Sequence, residues 1–266
     1  MNKTSPKVLI GIPTYIKMKY CHKQFFNRLK ELTYENKHFL IIDNTKNNDY
    51  IEDLKKEGLR VIKDKTKEKR NIKRLISSRN KIINHALENN YDYILFLDSD
   101  MIPPVNIIEQ LLQSKKNIVS GLYLGYFTSS NTIKALPVAW KNLTLKEFEE
   151  LKTKIKLPNT VKSHKDIRRH ITKQEADSNK LIEVILPANG CMLVSKEVIK
   201  NKEIRYGLKP GPETIGQTGE DDYFIKKAKK YGFKAFCNTN AKCNHLIDKK
   251  YKKDEQGNYI HMSFNN

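Results

Sequence analysis

Short apolar runs closed by polar or turn-forming residues recur along the first half of the chain. Lys7-Val-Leu-Ile-Gly-Ile12 is followed by Pro13-Thr14-Tyr15, His38-Phe-Leu-Ile-Ile42 by Asp43-Asn44, and Tyr93-Ile-Leu-Phe-Leu97 by Asp98-Ser99-Asp100. Runs of this kind, rich in branched and aromatic residues, read as strands buried on both faces of a sheet. Leu59-Arg-Val-Ile62 is a shorter strand in the same series. Between the strands the periodicity becomes helical. Helices are predicted from Cys21 to about Leu32 and from Tyr50 to Glu57, the latter with Gly58 as its C-cap. A third runs from Arg79 to Asn89 behind an N-cap at Ser77-Ser78, with Ile82, Ile83, Ala86 and Leu87 on one face. Arg79 and Asn80 then fall in a first helical turn, where free backbone N–H groups favour anions. Strand and helix alternate three times before Asp98, which predicts a parallel, doubly wound α/β sheet.

The second half continues with a helix at Asn106 to Leu112 and a strand at Asn117 to Gly121. Thr144 to about Lys156 reads as a helix with Leu145, Phe148, Leu151 and Ile155 on one face. Residues 158–180 are polar, charged and aperiodic, and are expected to form a surface loop. Strands are predicted at Leu181 to Leu186, Cys191 to Val194 and Phe233 to Phe236, and a helix from Glu220 to Tyr231 stopped by Gly232. Lys209 to Gly219 has the glycine and proline content of an active-site loop. The tail from Lys249 onward is polar and is expected to fray.

The 266 residues allow one large α/β domain or two intimate lobes. The net charge of +20 favours anionic partners such as phosphorylated small molecules, nucleic acid or anionic lipid, although solvated lysine faces explain part of it. No window approaches the roughly 18 apolar residues of a membrane span, and the N-terminus lacks a signal-peptide core, so a cytoplasmic location is expected. There are four cysteines. Cys237, Cys243 and His245 lie close enough to suggest zinc, but no C-x-x-C pair is present, and reduced, idle thiols are the expected state.

Asp98 and Asp100 carry the most chemical information. They stand at the carboxyl end of a buried strand, the edge where open α/β sheets bind ligands. Strand alternation would aim both side chains the same way. Two carboxylates aimed at one point repel unless a proton or cation separates them. Mg²⁺ or Mn²⁺ suits such oxygen ligands and often binds phosphates as well. A solvated acidic turn is the plainer alternative.

Several features occur in a set order: Pro13-Thr14-Tyr15, Asp43, Arg79-Asn80, Asp98-Ser99-Asp100, Ala188-Asn-Gly-Cys-Met-Leu-Val194, Gly219-Glu220-Asp221-Asp222, and His245. This order resembles the GT-A glycosyltransferases, especially those of the glycosyltransferase family 2 type, over about residues 7–247, and weakens between Trp140 and Lys180. The resemblance implies a GT-A (Rossmann-like), mostly parallel sheet flanked by helices, with a smaller acceptor-side half. Residues 1–122 would be the nucleotide-sugar-binding half, and 123–248 the acceptor and catalytic-base half with a basic insertion at about 141–180; 249–266 would be a polar tail.

The implied roles follow position by position. Pro13, Thr14, Tyr15 and Asp43 match a base and ribose pocket, and Arg79 a residue beside the nucleotide. Asp98, with Ser99, matches a position near ribose and metal, Asp100 the main metal carboxylate, and His245 a late metal ligand. Asp221 matches the catalytic base of inverting members, with Glu220 beside it, and Asn189-Gly190 the acceptor side. The implied activity is metal-dependent transfer of a sugar from a nucleoside diphosphate sugar to an acceptor hydroxyl of a glycan, glycolipid or protein, with inversion; a retaining outcome stays open. Peripheral contact with an anionic membrane fits the lysine content. The non-enzymatic alternative is a basic nucleic-acid- or membrane-binding protein, with Lys63 to Arg74 tracking phosphates. The scatter of basic residues outside any recognised motif disfavours nucleic acid.

Overall fold

The first apolar run becomes β1 (Val8–Thr14), buried along its whole length. A 3₁₀ turn at Ile16–Cys21 leads into α1 (His22–Glu31). The alternation continues with β2 (Lys37–Asp43), α2 (Asp49–Lys55), β3 (Val61–Lys63), α3 (Asn71–Glu88) and β4 (Tyr93–Leu97). After these come β5 (Met101–Ile102), α4 (Ile107–Gln113) and β6 (Ile118–Leu122). The hairpin β7 (Leu124–Ser129) and β8 (Thr132–Pro137), then β9 (Trp140–Asn142), α5 (Leu145–Lys154), β10 (Arg168–His170) and α6 (Lys173–Ala176) form the middle of the chain. The remainder is β11 (Leu181–Val184), β12 (Cys191–Ser195), α7 (Lys196–Ile199), α8 (Glu220–Lys230), β13 (Ala235–Lys242), β14 (Asn244–Leu246) and β15 (His261–Met262). This computed structural model describes residues 5–129, 132–209, 219–246 and 261–262.

Eight strands form the central sheet in the order β11-β13-β6-β12-β4-β1-β2-β3. β1, β2, β3 and β4 are mutually parallel, and β13 runs parallel to β6. The sheet is therefore mostly parallel but not purely so. β12 is antiparallel to both β4 and β6, and β11 to β13. Reversing β12 has a consequence for the site. Its register pairs Cys191 with Leu97, so the turn Ala188-Asn189-Gly190 arrives at the edge where β4 ends.

Strand alternation divides the core between two faces. Val8, Ile10 and Ile12 pack with α1 and α4 residues such as Phe25 and Ile108. Leu9, Leu40 and Phe96 pack on the other face with Ile82 and Ile83 of α3 and Phe224 of α8. Gly11 lies on this second face. A Cβ there would stand 2.3 Å from Ile82 Cγ2, so glycine is what allows α3 to approach the sheet this closely.

Several expectations need correction. α3 starts at Asn71, two turns before the predicted Ser77-Ser78 cap, so Arg79 and Asn80 lie mid-helix and not in a first turn. Ser78 Oγ instead lies 3.1 Å from both the Arg74 carbonyl and Asp64 Oδ2. Ile72, Leu75 and Ile76 already stand at helical spacing in these turns, but they lie within and directly after the basic run from Lys63 to Arg74, which masks the start of the helix. α5 begins as predicted, with Thr144 and Glu147 forming a capping box, but Leu145 and Ile155 are exposed at 65% and 53% and Phe148 is its buried residue. Residues 158–180 are not a plain loop. They hold β10 and α6, fixed by Arg169 bonding both Glu147 and Glu175 at 2.7 Å. These elements are three and four residues long, with only Ile171, which lies between them, and Ala176 reaching the core, too few for a periodic pattern to reveal them. The expected loop at 209–219 and the tail from 249 fall mostly outside the described residues. Within that tail, His261–Met262 pairs with β14 as β15. Gly58 and Gly232, with φ of +75° and +83°, sit in the left-handed conformation that glycine accommodates after a helix.

Gly11→Ala is expected to destabilise the fold by roughly 1–3 kcal/mol through overpacking. Urea unfolding of Gly11→Ala, Ile82→Ala and the double variant checks this. Strictly additive losses would show that the Gly11–Ile82 approach is not the cause.

Candidate active site

β4 ends at Leu97, and the two aspartates that follow are not on an extended strand. Residues 98–101 form a turn in which Met101 N–H donates to the Asp98 carbonyl at 3.0 Å. The two side chains therefore do not share one face of a strand, and the two carboxylates meet different partners. Asp98 N–H donates to the Gly190 carbonyl at 2.9 Å, tying the turn to the 188–190 corner. Ser99 is buried, with its hydroxyl 3.1 Å from Thr14 Oγ1 and its carbonyl accepting from Cys21 Sγ.

The Asp98 carboxylate accepts from Arg79 Nη2 at 2.9 Å. Arg79 is only 2% exposed, and its Nη1 stands 3.7 Å from Glu220 Oε1. Its guanidinium carbon also lies 5.2 Å from the centre of the Tyr206 ring. Burial alone would lower the Arg79 pKa, but Asp98, Tyr206 and Glu220 raise it on balance, so the cation is retained. Burial raises both the Asp98 and Glu220 carboxyls above their ordinary range, with Arg79 pulling each back. Arg79 is thus a buried bridge between the turn after β4 and the start of α8, and it does not line the adjoining cleft.

Asp100 takes a different partner. β14 pairs with β5, placing His245 opposite Met101, and His245 Nε2 lies 3.3 Å from Asp100 Oδ2. His245 Nδ1 is 3.1 Å from the Leu124 carbonyl, and since a carbonyl only accepts, Nδ1 carries the proton. In a neutral ring, Nε2 then presents a lone pair to a carboxylate. Two acceptors facing each other need a proton or a cation between them. Burial would lower the His245 pKa, yet its bond to Asp100 outweighs this and raises it. The imidazole–carboxylate pair fits a divalent cation whose remaining positions are filled by other oxygens. Among the described residues no group of three His, Cys, Asp or Glu side chains converges on one point. Of the expected trio of Asp98, Asp100 and His245, Asp100 faces His245 while Asp98 faces Arg79. The four cysteines are buried and free.

A cleft of about 420 Å³ opens beside the turn, walled by Pro13, Thr14, Tyr15, Ser99 and both aspartates. Asp43 is absent from this wall. It is wholly buried, accepting from Thr45 N–H at 2.9 Å and from Lys63 Nζ at 2.8 Å. The neighbouring Asn44 lines the cleft in its place, with Asn71 and Arg74 from the unpredicted first turns of α3. A larger groove, about 760 Å³, lies between β11 and α8, and none of the candidate residues lines it.

α8 opens with Glu220, Asp221 and Asp222. Acids suit a helix N-terminus, but their environments differ. Glu220 faces Arg79, and Asp222 is paired with Arg168 at 3.4 Å and Lys226 at 2.6 Å. Asp221 is half-buried, with Oδ1 accepting Asp222 N–H at 2.7 Å. Arg168 thereby fastens the insertion to the first turn of α8. Residues that sequence reasoning missed include Asn44, Tyr123 and Tyr206. The Tyr123 hydroxyl accepts Gly190 N–H at 3.2 Å, and its ring stands edge-on to His245.

A mostly parallel sheet with an acidic turn at its carboxyl edge, a histidine returning to that turn and a cleft alongside defines a GT-A glycosyltransferase. The chain matches the model of "Glycosyl transferase family 2" over residues 9–200 and belongs to that family. Among solved structures it is similar to GalNAc-T7 with UDP, GalNAc and Mn²⁺, at 15% identity and a TM-score of 0.57, covering 92% of this chain and 45% of that one. It is also similar to TarS of S. aureus, at 14% identity and a TM-score of 0.50, covering 89% of this chain and 36% of that one. The chain thus spans less than half the length of either. No curated protein matches it.

Removing Arg79 leaves the buried Glu220, and Asp98 at the cleft wall, without their shared countercharge. Arg79→Ala is expected to cost roughly 3–5 kcal/mol in denaturant unfolding; a loss below about 1 kcal/mol, the scale of an exposed pair, would mean that the bridge is not buried in solution. A second expectation concerns pH. A raised His245 pKa means that the metal-free His245–Asp100 contact stabilises fully below about pH 6.5 and is lost as pH rises through the raised value. The melting temperature of the metal-free protein should therefore fall across that window more than in His245→Ala. Identical profiles in both proteins would contradict the contact.

Proposed function

We propose that the protein transfers a sugar from a nucleoside diphosphate sugar to an acceptor hydroxyl with inversion, using a divalent cation at Asp100 and His245 and Asp221 as base. The observation that carries this reading is the His245–Asp100 pair, two acceptors 3.3 Å apart, of which Asp100 lines the cleft of about 420 Å³. The site of GalNAc-T7, described with UDP and Mn²⁺, supports uridine diphosphate and Mn²⁺ as the first ligands to try.

In this reading Pro13, Thr14, Tyr15 and Ser99, joined by Asn44, frame the base and ribose. Asp98, kept in place by Arg79, lies beside the ribose and the diphosphate. The cation, when bound, supplies Lewis-acid stabilisation of the departing diphosphate. Asp221 keeps one oxygen on its own backbone turn and turns the other to the proton of the attacking hydroxyl. Glu220 stays on Arg79 and so acts by holding α8 in place. Direct displacement from the side opposite the diphosphate inverts the anomeric centre. Residues 1–122 then serve the donor and 123–248 the acceptor. A cytoplasmic location, with the lysine-rich surface resting on an anionic membrane that carries a glycolipid acceptor, belongs to the same proposal. The excess of 50 Lys and Arg over 30 Asp and Glu supports it.

A thermal-shift screen of nucleoside diphosphates and their sugars, with and without Mn²⁺, tests the reading, because a ligand of the folded state raises its melting temperature. Asp100→Ala should abolish the Mn²⁺-dependent part of the shift. Asp221→Asn should keep the shift while turnover drops about 10²–10⁴-fold. Full turnover in Asp221→Asn would remove it as the base, and an unchanged Mn²⁺ response in Asp100→Ala would remove the cation site.

A further inference from the structure

Asn80 follows the buried Arg79 on α3 and reaches across to a segment 126 positions later. Its Nδ2 donates to the Tyr206 carbonyl at 2.9 Å, and its Oδ1 accepts Tyr206 N–H at 3.0 Å. One side-chain amide thus takes both backbone groups of one residue, as a neighbouring strand would. Tyr206 needs such a partner because the described residues from 204 to 209 belong to no helix or strand. The two bonds also settle the amide orientation, since Nδ2 cannot accept and Oδ1 cannot donate.

Tyr206 passes this anchorage on. Its ring stacks on Phe224 of α8, with centroids 4.5 Å apart and planes inclined by 15°, and meets Phe96 of β4 edge-on at 5.3 Å. Its hydroxyl donates to Asn189 Oδ1 at 3.0 Å, in the corner that bonds Asp98 N–H. The next residue, Gly207, lies against α8 so closely that a Cβ would stand 2.7 Å from the Tyr223 ring. α3, the 188–190 corner and the first turns of α8 therefore meet at Tyr206.

We propose that Asn80 and Tyr206 are positioning residues: Asn80 pins Tyr206, and Tyr206 sets the acidic start of α8 against the Asp98 turn. The role in catalysis rests on the transferase reading; the pin itself does not. Arg79 supplies charge between Asp98 and Glu220, and Asn80 supplies distance. A lost pin leaves the donor cleft intact, because neither Asn80 nor Tyr206 lines it, and loosens the side that carries the base.

Asn80→Ala and Asn80→Asp, made in the full chain, test this with three measurements: amide hydrogen exchange, titration of UDP with Mn²⁺, and hydrolysis of UDP-sugars with Mn²⁺. In Asn80→Ala, exchange at 206–209 and in the first turn of α8 should rise roughly tenfold while the middle of α3 is unchanged. UDP affinity should stay within about twofold and turnover fall roughly tenfold at constant KM. Asn80→Asp still accepts from Tyr206 N–H and should recover part of both losses. Unaltered exchange at 206–209 and α8 overturns the pin. A parallel loss of UDP affinity also overturns it, by assigning Asn80 to the donor side. If the parent neither binds UDP nor hydrolyses any UDP-sugar, the transferase reading fails, and the exchange result alone decides the pin.

Discussion

Arg79 is a full positive charge with almost no access to water, and the site is organised around keeping it neutralised. A buried ion costs several kcal/mol after relaxation unless countercharges and hydrogen bonds meet it. Asp98 and Glu220 meet it from two elements far apart in sequence, and the Tyr206 ring covers its face. The turn after β4 and the start of α8 therefore cannot drift apart without uncovering the charge. The same constraint divides the labour of the two aspartates. Asp98 is committed to the protein, and Asp100 remains available to His245.

Two features of the topology bring the remaining groups to this point. The antiparallel insertion of β12 between β4 and β6 carries the 188–190 corner to the end of β4, where Gly190 accepts Asp98 N–H. The short sheet of β5, β14 and β15 returns the chain from β13 to the acidic turn and sets His245 opposite Met101. The second half of the chain contributes strands to the interior of the sheet. Both are backbone arrangements, which hold a side chain more rigidly than a loop can.

The apolar runs named β1, β2 and β4 closely, because a strand buried on both faces has to be apolar along its length. Gly58 and Gly232 named two helix ends for an equally local reason, since a left-handed residue is needed there. The start of α3 was hidden because Ile72, Leu75 and Ile76 lie within and directly after the basic run from Lys63 to Arg74, so the helical spacing begins inside a charged stretch. Within the insertion at 141–180, α5 was legible from its amphipathic spacing, whereas β10 and α6 are too short for a pattern and are fixed by Arg169 with Glu147 and Glu175 and by the buried Ile171 and Ala176. Of the candidate residues, Asp98, Asp100, Glu220, Asp221 and His245 stood out as an ordered set, whereas Asn44 beside the cleft and Tyr206 against Arg79 did not. Nothing local distinguishes an asparagine beside a buried aspartate or a tyrosine in an irregular segment.

The sequence by itself determined the class of fold, the edge of the sheet that carries the acids and the family to which the chain belongs. Those depend on local periodicity and on motif order, which the chain states directly. Only the tertiary structure decided that Asp43 is buried and engaged, that Arg79 bridges two carboxylates instead of facing the cleft, and that the aspartates of one turn take separate partners. These outcomes depend on which groups lose water together, and that is settled by packing between segments many residues apart.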